Sequence, residues 1–198
     1  MTEESEKRWS FAQALLFTGH MIDAPGRKPS RFPASAEGRA REAIHAAVLG
    51  LRHDATVGIA AGASGGDLLF HEVCAELGIP TRLFLALPLE EFIAKSVAPA
   101  GAEWVQRFDA LVERLGPENV RVMGQSDGLA EGPTDNIWQR VNFWMAEQAV
   151  ALAPQRTLIA LWDGQGGDGP GGTEHFVAAA PSYGIHVAPV IQMQTLLD

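Results

Sequence analysis

Short apolar runs alternate along this chain with stretches in which apolar residues recur every three or four positions, the pattern of βαβ units. FAQALLF at 11–17 predicts a first strand, followed by a long polar, proline-rich loop from Thr18 to about Pro33. Ala40, Ile44, Ala47, Val48 and Leu51 then share one stripe of a helix over roughly 35–51. TVGIAA at 56–61 predicts the second strand, and Leu68, Leu69, Val73 and Leu77 mark a helix that Gly78 stops. PTRLFLAL at 80–87 predicts the third strand. Helical stretches at 90–97 and 103–115 follow, the second with Trp104, Phe108, Leu111 and Leu115 on one face. A short fourth strand is expected at 119–123, a polar loop at 124–134 and a helix at 136–152. TLIALW at 157–162 predicts the fifth strand, with a last helix from near Thr173 and a sixth strand at 185–190.

Continuously apolar strands such as TLIALW belong in a sheet covered on both faces. The pattern therefore predicts an α/β fold with a mostly parallel sheet of five to six strands and helices on both faces. Right-handed crossovers place every strand-to-helix loop at one edge of such a sheet, and ligands bind there where the strand order reverses. Loops 18–33, 62–67, 87–91 and 163–174 should thus converge on one pocket.

Two of these loops are rich in small residues. Gly62-Ala63-Ser64-Gly65-Gly66-Asp67 follows a strand and opens a helix, where backbone N–H groups and the helix dipole favour an anion. Gly62, Ser64, Gly65, Gly66 and Asp67 are candidate ligand contacts, although Ser64 with Asp67 also reads as a capping box. The spacing is neither GxGxxG nor GxxxxGK[ST]. Glycine fills half of residues 163–174. An ordinary connector avoids that entropic cost, so backbone there is expected to approach a ligand at Gly164, Gly171, Gly172 and Thr173. In the first loop Gly19 permits close approach, His20 and Asp23 suit a ribose or base, and Arg31, beside Arg27 and Lys28, suits a phosphate.

The stretch G-D-G-P-G-G-T-E-H with its preceding strand, together with G-A-S-G-G-D, resembles the SLOG group of Rossmann-like folds. That group is related to lysine-decarboxylase-like phosphoribohydrolases and nucleoside 2-deoxyribosyltransferases. The segments T-G-H-M-I-D-A-P-G-R, L-P-L-E-E-F and W-V-Q-R-F-D resemble domains found beside nucleotide cyclases and helical-repeat signalling proteins. The resemblance implies a single Rossmann-like domain over 11–198, after a charged segment at 1–10. It also implies a nucleotide-type ligand. In the deoxyribosyltransferases an Asp precedes the catalytic Glu by six residues, a spacing that Asp168 and Glu174 share. The resemblance then makes Glu174 a nucleophile or oxocarbenium stabiliser, with Asp163, Asp168 or His175 protonating the departing base. The PGGxGTxxE spacing of the phosphoribohydrolases is absent, because Glu174 follows Gly171-Gly172-Thr173 directly. Two functions stay open: a sensor that binds a nucleotide-derived signal without chemistry, and a nucleoside or nucleotide N-glycosidase or transferase.

Composition narrows the partners. The 198 residues carry a net charge of −9, which argues against general nucleic-acid binding but leaves room for a local phosphate site. No apolar run reaches the roughly 18 residues of a membrane span. The first ten residues, MTEESEKRWS, lack a signal-peptide core, and a lone Cys74 suits a reducing compartment, so a cytoplasmic protein is expected. His71-Glu72-Val73-Cys74 lacks the second histidine of a zinc helix, and neither metal nor cofactor is predicted. The helix at 136–152 carries apolar residues on two sides, Ile137, Val141 and Trp144 on one and Trp138, Met145 and Ala149 on another. That predicts a symmetric homodimer, or polar reach from Asn136, Arg140 and Asn142 into the pocket.

Overall fold

A computed structural model describes residues 9–124, 136–166 and 171–197. Among these residues seven strands form one sheet: β1 (Gln13–Gly19), β2 (Thr56–Ala60), β3 (Thr81–Leu85), β4 (Val120–Val122), β5 (Gln155–Trp162), β6 (His186–Val187) and β7 (Ile191–Gln192). Their order is β4-β3-β2-β1-β5-β6, with β7 pairing the far end of β5, and every pairing is parallel. The chain builds outward from β1 to β4, then returns to lay β5 on the free side of β1. The order therefore reverses between β1 and β5, the place where a Rossmann-like α/β sheet opens a crevice.

Alternation along the strands divides the core in two. Leu15, Phe17, Ala60, Leu83, Leu85, Ile159 and Leu161 face one layer, formed by α1 (Glu37–Leu51), α2 (Gly66–Glu76) and α4 (Ala102–Leu115). Ala14, Leu16, Val57, Ile59, Phe84 and Leu158 face the other layer, formed by α5 (Ile137–Leu152) and α6 (Thr173–Ala179). The short α3 (Leu89–Phe92) runs straight into a π-helical turn over Ile93–Val97. No helix among the described residues is long and apolar enough to cross a membrane.

The apolar surplus on α5 is accounted for within one chain. Val141, Trp144, Met145 and Ala149 are buried against the sheet and α6, and Trp144 meets Phe84 edge-on at 4.8 Å. Trp138 turns toward Phe92, 6.2 Å away, at the sheet's carboxyl edge. The expected strand at 185–190 is split in two. Ala188 still donates to the Leu158 carbonyl, but Pro189 has no N–H for the ladder, and pairing resumes only at Ile191.

Candidate functional site

The crevice between β1 and β5 is closed at its base by a charged cluster. Gly19 ends β1 beside Leu161, and the His20 amide donates to the Leu161 carbonyl at 3.2 Å. Asp163, just beyond β5, receives a two-pronged bond from Arg31: Nε to Oδ2 at 2.8 Å and Nη2 to Oδ1 at 2.9 Å. The two side chains are only 12% and 9% exposed. Burial alone would raise the Asp163 carboxyl, but the Arg31 fork, the Gln165 amide and His20 outweigh it and hold it well below the usual carboxylate range. Burial and the Arg31 charge lower the pKa of His20. Its Nε2 lies 3.1 Å from Asp163 Oδ1 and 3.2 Å from the Asp163 amide nitrogen.

Asp23 organises its own loop. Its carboxylate accepts from Ser30 Oγ at 2.6 Å and from the amides of Arg31 and Phe32 at 3.0 and 3.1 Å, with Arg27 Nε 3.5 Å away. Buried Phe32 anchors the far end. The loop Gly62–Asp67 is likewise occupied by the protein itself. Gly66 N–H donates to the His20 carbonyl, Ile22 N–H to the Ser64 carbonyl, and Ser64 N–H to the Ser96 carbonyl, at 2.9–3.1 Å. At Gly65, with φ at +106°, a Cβ would stand 2.5 Å from Ile22 N and 2.8 Å from the His20 carbonyl oxygen. The capping box does not form, because Gly65 rather than Ser64 is the N-cap of α2 and no side chain caps it. Asp67 reaches back to the Ala63 amide at 3.3 Å, while the buried Ser64 Oγ has no partner among the described residues. Burial raises the Asp67 carboxyl to about 7, against a smaller lowering by the Ala63 bond.

A cavity of about 400 Å³ lies over the crevice. Its aromatic wall is Phe92, Trp138 and Trp162, and its rim carries the cations Arg27, Arg31 and Lys95. Thr18 and Thr173, whose hydroxyls meet at 3.4 Å, form part of the base with Gly19 and His20. Gly171, Gly172, Glu174 and Asn142 complete it. Gly171, with φ at +96°, seats its backbone on the first turn of α5, where a Cβ would come within 2.6 Å of Gln139 N. Asn136 caps that helix by accepting from the Trp138 and Gln139 amides. A second hollow of about 510 Å³ opens on the other side of Arg27 and Arg31, lined further by Lys28, Ser30, Asp163, Gln165 and Gln194.

The predicted residues thus divide. Gly19, His20, Arg31, Gly171, Gly172, Thr173 and Glu174 line the 400 Å³ cavity, and Asp163 lines the adjoining hollow. Gly62, Ser64, Gly65, Gly66, Asp67, Asp23 and Gly164 line neither, and Asp168 lies outside the described residues. His175 points away from the cavity, accepting from Gln139 Nε2 at 2.6 Å and packing on Phe143. Loop-by-loop reading of the sequence missed Lys95 and Ser96 on the π-helical turn, and Trp162 at the end of β5. Among the described residues no cluster of His, Cys, Asp and Glu is arranged to hold a metal ion. The chain matches no protein-family model, and comparison with curated proteins finds no match.

Proposed function

We propose that this protein binds a nucleotide or nucleotide-derived signal between β1 and β5 and acts as a sensor. The observation that carries this reading is the lining of the 400 Å³ cavity at the point where the strand order reverses. A flat apolar base needs an aromatic wall, which Phe92, Trp138 and Trp162 supply. Phosphate needs cations, and Arg27, Arg31 and Lys95 stand on the rim of a chain whose net charge is −9. Thr18 and Thr173 suit a sugar.

A panel of purine and pyrimidine nucleotides scored by melting temperature tests the reading, because a ligand that binds only the folded state raises it. Quenching of tryptophan fluorescence should accompany the shift, since two tryptophans line the cavity. A panel without any shift or quenching overturns the proposal.

The presence of Glu174 in the cavity wall favours a second reading, an N-glycosidase. Such an enzyme needs a proton donor whose pKa lies near neutrality. Asp163 is held ionised by Arg31, His20 is lowered, and the carboxyl raised to about 7, Asp67, is not in the lining. No such donor stands among the described lining residues, and we favour binding without bond cleavage. The wild type should return AMP unaltered, and Glu174→Gln should bind it within a few-fold of wild type, the worth of one hydrogen bond. Free base released by the wild type and lost in Glu174→Gln would reverse the choice.

A further inference from the structure

We propose that Asn142 selects the base: its carboxamide oxygen accepts a hydrogen bond from the exocyclic amino group of a 6-aminopurine, an inference that rests on the nucleotide reading above. Asn142 lies in the second turn of α5, is 7% exposed, and lines the 400 Å³ cavity. Its Nδ2 donates to the Gly171 carbonyl at 2.9 Å. A carbonyl can only accept, so the nitrogen must face Gly171 and the amide cannot flip. The orientation of the oxygen is thereby fixed, and Oδ1 has no partner among the described residues. Oδ1 is not shut away from solvent, so a donor on whatever fills the cavity can reach it.

The helix supplies the rest of the geometry. Trp138 precedes Asn142 by four residues, so indole and carboxamide project from the same face of α5. One offers a surface on which a base stacks, the other a group that meets its edge. Oδ1 is the acceptor that complements the exocyclic amino group of adenine. Lys95, on the rim of the same cavity, is placed to meet the phosphate.

The test compares adenosine 5′-monophosphate with purine riboside 5′-monophosphate, which lacks only the amino group, by calorimetry on the full chain. Wild type should prefer the amino compound by about tenfold, since the analogue leaves the Asn142 oxygen unpaired. Asn142→Ala and Asn142→Ser should bind the two alike, whatever their absolute affinities. Using the ratio separates base reading from the support Asn142 gives to Gly171, which acts on both ligands equally. Equal affinities in wild type, or a preference that persists in both variants, overturns the assignment. Binding of other nucleotides but neither of these two overturns the choice of base. If no nucleotide binds, the nucleotide reading falls with it.

Discussion

Asp67 and His71 stand one turn apart on α2, both shut away from water, and burial moves them in opposite directions. The Asp67 carboxyl rises from 3.8 to about 7, and the His71 imidazole falls from 6.5 to about 4. His71 is satisfied as a neutral ring: Nε2–H donates to the Ala61 carbonyl at 3.0 Å, and Nδ1 accepts from the Thr81 hydroxyl at 2.9 Å. Between about pH 4 and 7, native Asp67 keeps a proton that the unfolded chain has released, so its contribution to stability is lost as pH rises. The slope is about 1.4 kcal/mol per pH unit, roughly 4 kcal/mol across the window. His71 works the other way. Below pH 6.5 the unfolded chain takes a proton that the native ring refuses, so stability is lost as pH falls, by about 3 kcal/mol at pH 4. The two slopes oppose each other over most of the range, so wild type should show little net pH dependence from this pair.

Asp67→Asn removes one slope and exposes the other. Urea unfolding followed by tryptophan fluorescence, in steps between about pH 4 and 8, gives the stability of each protein. The difference between them isolates Asp67, because His71 and His20 are common to both. Relative to the variant, wild type should lose about 1.4 kcal/mol for each pH unit up to about 7 and then level off. A difference that stays constant across the window would show that native Asp67 titrates like an exposed carboxyl, and the argument from burial would be refuted.

Other positions give sharper structural tests. Gly65→Ala forces a Cβ against Ile22 N at positive φ and should lower stability by roughly 3 kcal/mol or more, whereas Gly26→Ala, with open space around it, should cost only about 1–2 kcal/mol of backbone strain. Thermal melts compare the two. Arg31→Ala should destabilise by about 2–3 kcal/mol because it strands the Asp163 carboxylate, and Arg31→Ala with Asp163→Ala should cost less than the two singles summed, measured by urea unfolding. Trp138→Ala should weaken AMP binding by about tenfold while moving the melting temperature of the unliganded protein much less than Trp144→Ala, which opens the core.

The fold was readable because its cause is local and repetitive. TLIALW reads as a strand buried on both faces, and Trp104, Phe108 and Leu111 fall on one helix face, as they do in β5 and α4. The position of the crevice follows from the same facts, since parallel crossovers bring the loops to one edge and the order reverses at β1. What each loop residue does there was not readable. Glycine permits close approach, but the sequence does not say of what, and at Gly65 and Gly66 the approaching group is the backbone of residues 20–22. Asp23 could bond a sugar or its own loop by the same chemistry, and it bonds its loop. Arg31 finds its partner 132 residues away, a distance across which no local pattern carries information.

These displacements share one physical consequence. The small residues of Gly62–Asp67 let the chain after β1 lie flat on the start of α2, which leaves only Ala63 of that loop in the cavity wall, beside side chains from α5 and the π-helical turn. Backbone amides recognise any anion of suitable shape, whereas an indole and a carboxamide on one face of a sixteen-residue helix recognise a base by its face and its edge. Gly171 completes the arrangement, because only a residue without Cβ can seat on Asn136 and Gln139 and present its carbonyl to Asn142. A helix packed on both sides holds those groups more rigidly than a glycine loop would. On the proposed reading, such a wall would separate ligands of equal charge by their base, which is what a sensor requires of its site.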